Sequence, residues 1–189
     1  SPDSFVTYDY ENITSDWHSS GSAGRSALGP NSLFRQCAYF FHDITGKGNG
    51  KGPWLYLEPD CVIVPHGTKW DVILFEEYKR CGRPFMGANV PAGDAYPEHM
   101  SGVAIWPQNT PELAGGAMLC ERGAFDVVGA QDIVPKAAFT TSIVHKFRHP
   151  GFKTQAEVDQ WVTPDTLIFH ANKYGSLIPF LRERLNVRE

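Results

Sequence analysis

The sequence predicts an α/β domain, on three observations. Residues 53–71, "PWLYLEPDCVIVPHGTKWD", pass from an apolar strand through the acidic turn Glu58-Pro59-Asp60 to a helix start. That is the rhythm in which ligands sit at the carboxyl ends of strands. A second apolar strand, in "LIFHANKYGSL" at 167–177, also ends in a polar cluster followed by a helix start. The chain has 189 residues, 42% hydrophobic and 13% aromatic, enough to bury one substantial core and so to form one globular domain.

Taken in order, residues 5–10 alternate β-formers with polar residues and predict a strand, whereas 11–30 are rich in Ser and Gly without a period and predict a loop. Asn31 is placed to cap a helix whose apolar positions Leu33, Phe34, Cys37, Phe40, Phe41 and Ile44 recur at helical spacing. The Gly/Lys run 46–52 ends it; lacking the spacing of a P-loop and its following Ser or Thr, the run reads as a connection. Residues 54–57 are the continuous apolar run of a doubly covered central strand, stopped by Pro59, whose ring fixes one dihedral. Thr68 and Asp71 predict a capping pair for a helix with Trp70, Ile73, Leu74 and Tyr78 on one face, closed by Gly82. Residues 84–87 and 100–106 read as short strands around an irregular surface loop, 88–98, and 125–134 and 166–170 as further strand-like material. A last helix starts at Ser176, tolerates Pro179 in its first turn and presents Leu177, Phe180, Leu181 and Leu185.

The 17 Lys and Arg against 21 Asp and Glu, a formal charge of -4, argue against a protein that coats nucleic acid by charge alone. Cys37, Cys61, Cys81 and Cys120 lack the spacing of a zinc site and the density of a secreted disulfide scaffold, and read as thiols in a reducing compartment. No apolar stretch approaches the ~20 residues that cross a bilayer, and no charged leader opens the chain. The expectation is a soluble, cytoplasmic protein without membrane contact. The start at Ser-Pro, with no Met, is expected of a processed, trimmed or partly represented N-terminus.

The chemistry points to the two strand ends. Carboxylates at i and i+2 on a strand tip, Glu58 and Asp60, can face one cleft, and hard oxygen ligands suit Mg or Mn. Taken alone, a Glu-Pro-Asp turn is more often a helix-capping or solvated loop. His170 can complete a metal's coordination, Lys173 can neutralise a phosphate, and Gly175 with a helix start can offer backbone N–H groups to oxyanions. Each also has a plain reading, as a satisfied strand-end histidine or a solvated turn residue.

An apolar strand ending in an acidic-x-acidic triplet, then "HMSGVAIWP", "AQDIVP" and a late His-x-x-Lys-x-Gly, resembles the order of elements in GT-A fold, nucleotide-sugar-dependent glycosyltransferases, the glycogenin-like retaining enzymes most of all. The phrases "WLYLEPD", "PFMG" and "HANKYGSLI" are also similar to putative glycosyltransferases encoded by phages and bacteria. The resemblance covers about residues 53–185. It implies a GT-A-like catalytic domain over 31–189 with a central mixed sheet flanked by helices; the βαβ unit with which the family normally opens, and which holds the nucleotide base, is either reduced to the strand and loop of 1–30 or belongs to sequence not shown here. It also implies Asp60 and His170 on Mn2+ or Mg2+, with Glu58 on the metal or the donor's ribose. Lys173 and Gly175 would hold the donor diphosphate, Ser101 and Gly102 line the sugar pocket, and Gln131 and Asp132 face the sugar near the reacting carbon. The sequence departs from the family at Glu58, where Asp is usual, at Ala130, where an acid is usual, and in the exchanged order of Lys173 and Gly175.

The expected reaction is transfer of a sugar from a nucleoside diphosphate donor to an acceptor: a modified DNA base, a glycan or a protein. Asp126 and Asp132 are the available catalytic carboxylates. The rival readings are a carbohydrate- or nucleotide-binding module of the same fold and a metal-dependent hydrolase built on Glu58, Asp60 and His170. "HKFRHPGFK", residues 145–153, gathers cations around Phe147 and Phe152 and, with Lys79, Arg80 and Arg83, is where a nucleic-acid acceptor would bind; otherwise it is a solvated loop with two anchored aromatics. His66 and His99 read as loop or pocket-wall residues.

Overall fold

The computed structural model describes residues 28–46, 52–64, 69–94, 96–119, 123–146, 151–170 and 175–181, with side chains of the first stretch described at 31–43. The expected strand 5–10 lies outside these residues, as do His66, Thr68, Cys120, Phe147, Arg148, His149, Lys173 and Leu185.

The fold is mixed α/β. One sheet runs in the order β1 (Trp54–Tyr56), β4 (His99–Trp106), β3 (Phe85–Val90), β5 (Ala137–Phe139), with β4 antiparallel to β1 and β3, and β5 parallel to β3. A smaller sheet orders β2 (Val62–Ile63), β7 (Ile168–His170) and β6 (Ile143–His145), antiparallel and then parallel. The chain passes between the sheets three times, through residues 57–61, back through 64–84 and again through 140–142.

All eight residues of β4 are buried, because it is covered on both faces. Met100, Ala104 and Trp106 meet Phe34 of α1 (Leu28–Gly46) with Trp54 and Tyr56 of β1. Val103 and Ile105 pack opposite, against Leu74 of α2 (Trp70–Cys81), Ile143 and Ile168. The first core is aromatic: Phe34 stacks on Phe125 at 3.9 Å between ring centroids and meets Trp106 edge-on at 4.6 Å. Both buried indoles are satisfied, Trp54 donating to the Pro107 carbonyl and Trp106 to that of Gly102. The doubly covered strand is therefore β4. Among the described residues β1 pairs with β4 alone, and its Leu55 is only half-buried.

Several expectations need correction. Helix α1 begins at Leu28, so Asn31 lies inside it and is fully buried. Its amide donates to the Gly123 carbonyl (2.7 Å) and accepts the Phe125 N–H (3.0 Å), capping a neighbouring helix instead of its own. Residues 125–134 are not a strand but two helical turns, α5 (Phe125–Val128) and α6 (Ala130–Ile133), which follow α3 (Thr110–Leu113) and α4 (Gly115–Met118). The buried set Phe125, Ala130 and Ile133 has near-helical spacing, and Val128 faces solvent. In α2, Leu74 is buried with Trp70, Phe75 and Tyr78 packed beside it, whereas Ile73 is exposed. Gly82 closes α2 in the left-handed conformation at φ 62°. Strand β3 runs on to Val90, into the expected loop. An additional helix, α7 (Gln155–Trp161), starts on a capping box made by Thr154 and Glu157.

Pro179 does fall in the first turn of the helical residues 178–181, beside buried Leu177 and Leu181; the residues that follow lie outside those described. No helix among the described residues is long and apolar enough to cross a membrane.

Candidate metal centre

The acidic turn is built by its own sequence. Past Tyr56 the chain leaves the ladder, and the Cys61 N–H donates to the Glu58 carbonyl (3.0 Å), closing a turn with Pro59 at its second position, where a fixed φ favours it. The chain then enters β2, paired with β7 through Val62 and Phe169, so one further step of that register sets Cys61 level with His170. The turn and the register thus carry Glu58 and Asp60 to the end of β7.

A bulge in β4 completes the site. Gly87 pairs with Ala104 and Asn89 with Met100, so the three residues Ser101, Gly102 and Val103 oppose Ala88 alone. Bulges re-aim side chains and free backbone groups. The Gly102 N–H donates to Asp126 Oδ2 (2.9 Å), and Ser101 turns Oγ toward His145 Nδ1 (3.2 Å) and His170 Nδ1 (3.4 Å). A Cβ at Gly102 would stand 2.8 Å from Phe125 Cζ and 3.4 Å from both Glu58 Oε1 and Asp126 Oδ2. A side chain at this position would collide with the Phe125 ring before it reached either carboxylate.

His170 is buried, its Nε2 3.2 Å from Glu58 Oε2 and 3.3 Å from Asp60 Oδ1. Burial pulls its pKa down, but hydrogen bonds to Asp60 and Glu58 and their charges outweigh that and raise it to about 9. Asp126 is shifted upward, first by burial and then by the charge of Glu58, against the opposing pull of His99 and of the Gly102 and Val127 N–H groups. His99, buried at the start of β4, donates Nδ1–H to the Pro97 carbonyl (2.8 Å). Burial pushes the Cys61 thiol up to about 12, so it is neutral at ordinary pH.

One ligand atom each of Glu58, Asp60 and His170 lies within 4.8 Å of the others. Adjacent ligands about 2.1 Å from a common centre stand about 3 Å apart, close to the two contacts at Nε2. Two carboxylate oxygens and one imidazole suit Mn2+, and Mg2+ with more water, and three protein ligands leave positions for a substrate. The donor set fits such an ion.

The other predicted residues lie in different settings. Ser101 is fully buried against the two histidines, and Gly102 lies between Glu58 and Asp126. Asp132 is outside the ligand cluster; its Oδ2 accepts the Gly116 N–H (2.8 Å) in the first turn of α4. Gln131 is exposed on a separate cleft of about 530 Å³, walled by Val127, Val134 and Pro135 and bordered by Glu98. Gly175 has φ 64°, a left-handed conformation, at the head of the final helical turn. In the basic segment Phe152 is buried and Lys146 Nζ lies 3.6 Å above the Trp161 ring.

Sequence reading put His145 in the basic segment and His99 in a loop or pocket wall, whereas His145 ends β6 beside His170 and His99 is the buried first residue of β4; it did not pair Asp126 with Gly102. A signal for the place of His145 was present: "SIVH" ends on an imidazole as "LIFH" does, and the two strands pair in parallel with His145 level with His170. No protein-family model matches the chain, nor does any curated protein or solved structure.

Proposed function

We propose that the protein is a GT-A-type glycosyltransferase that moves a sugar from a nucleoside diphosphate sugar to an acceptor hydroxyl, with Mn2+ or Mg2+ held by Glu58, Asp60 and His170. The observation that carries this reading is the meeting of an acidic turn with a histidine 112 residues later, at the ends of two strands. Two half-buried carboxylates and a buried imidazole held at ligand spacing are a donor set that a divalent ion would fill. A divalent ion bound there offsets the charge that develops on a departing diphosphate.

The chain's own groups divide the remaining work. Glu58 and Asp60 supply the anionic oxygens, and the Pro59 turn keeps them on one side. Asp126, next to Glu58 across Gly102, offers a carboxyl whose raised pKa suits proton exchange with a reacting hydroxyl. Gly175, at positive φ, lets backbone approach an oxyanion, with Lys173 close by in sequence.

The test is release of nucleoside diphosphate from a panel of nucleotide sugars, with and without Mn2+. We expect Mn2+-dependent release that falls by about 10²-fold or more in Asp60→Ala, as misplacement of a reacting group predicts, while the circular dichroism spectrum is retained. Nucleotide-sugar binding without turnover would leave a binding module, and phosphoester hydrolysis with no donor present would replace the transferase with a hydrolase.

A further inference from the structure

We propose that His145 is the positioning residue of this centre: by accepting the Nδ1–H of His170 it fixes the tautomer and ring orientation that present a bare Nε2 beside Glu58 and Asp60. The inference rests on the metal-centre reading above and adds to it a residue that no ligand argument requires.

The argument begins with register. β6 and β7 run parallel with Ile143, Val144 and His145 level with Ile168, Phe169 and His170, so both strands end on an imidazole at the same height. The rings lie 4.6 Å apart at 63°, and the two Nδ1 atoms are 2.7 Å apart. At that distance two lone pairs repel and two N–H groups collide, so one proton lies between them.

Which ring owns it follows from the other end of His170. A nitrogen that binds a metal is bare, so a neutral His170 ligating through Nε2 carries its proton on Nδ1. His145 Nδ1 is then the acceptor, and its own proton is on Nε2. Ser101 Oγ, fully buried and within reach of both Nδ1 atoms, closes the triangle and limits rotation of either ring. Such outer partners orient ligating histidines and raise their basicity.

The test is Mn2+ affinity, read from the free-ion electron paramagnetic resonance signal, in wild type, His145→Asn and His145→Leu. An Asn carbonyl oxygen can accept where Nδ1 does; Leu cannot. We expect His145→Leu to weaken binding about 10–100-fold and His145→Asn to stay within a few-fold of wild type. Equal affinity in wild type and His145→Leu overturns the role of His145 alone, whereas a wild type that binds no Mn2+ overturns the metal centre and this inference with it.

A measurement free of substitutions guards against a variant that fails to fold. Histidine-selective ¹⁵N NMR of the Zn2+-loaded wild type should place protons on His170 Nδ1 and His145 Nε2. A proton on His145 Nδ1 overturns the assignment.

Discussion

His170 is the group most exposed to a change of conditions. In the metal-free protein its ring faces two carboxylates at Nε2 and a second imidazole at Nδ1, and its pKa of about 9 keeps it charged at neutral pH. The folded value lies above the ordinary 6.5, so the stabilisation is fully present below pH 6.5 and is lost as pH rises through 9. Denaturant unfolding in the presence of a chelator should therefore give a stability that declines between pH 6.5 and 9.5, by a few kcal/mol on the order-of-magnitude scale of such shifts. A metal bound as proposed should reverse the pH dependence. An ion at Nε2 must displace the proton, so the logarithm of Mn2+ affinity should rise by about one per pH unit toward pH 9 and then level off. Calorimetry in two buffers of different ionisation enthalpy would count the released proton. A flat affinity over that range would mean that Nε2 is not a ligand.

Asn31 carries more of the architecture than its place in a helical pattern indicates. Buried on α1, it satisfies the Gly123 carbonyl and the Phe125 N–H, and so sets the entry of α5, whose Asp126 then reaches the Gly102 N–H of the β4 bulge. Asn31→Ala removes both bonds, and the one that matters most is to the N–H of buried Phe125; at roughly 1–3 kcal/mol for such a group, we expect a loss of about 1–3 kcal/mol in urea unfolding, with a drop in nucleoside diphosphate release from the shifted Asp126.

The same residue shows what the sequence could and could not disclose. Helix α1 was legible because Phe34 and Cys37 recur at helical spacing, yet the partner of Asn31 lies 92 residues away and leaves no local trace. The strand ends at Glu58 and His170 were legible because charge breaks an apolar run there. The helical turns at 125–133 were hidden: each is four residues long, too short for a period to show, and Val127 and Val128 mimic a strand. Strands β5 and β6, three residues each, are just as silent. His145 had its signal only in comparison with β7, since parallel register is a tertiary fact.

Of the three crossings the chain makes between the two sheets, the two short ones each have their own clamp. At 140–142 the carboxylate of Glu77, on α2, accepts from Thr140 Oγ1 and from Ser142 Oγ (2.6 Å), and the Ser142 carbonyl accepts the Leu167 and Ile168 N–H groups. At 57–61 the comparable clamp is Glu58 and Asp60 on His170, which joins the turn after β1 to the end of β7. This second clamp sets two carboxylates against one imidazole, and an ion shared by all three would draw the larger sheet onto the smaller. Metal should then stabilise the whole fold by mass action, by about 2.7 kcal/mol at one hundred times the dissociation constant. Its local effect should concentrate at the second crossing. Hydrogen exchange with and without Mn2+ is expected to show added protection at 54–63, 143–146 and 168–170, and little at 140–142, which Glu77 already holds. Asp60→Ala should abolish the metal-dependent protection and leave the metal-free pattern at 140–142 intact. Protection spread evenly over both crossings would instead mean that the ion, if it binds, does so without bridging the sheets.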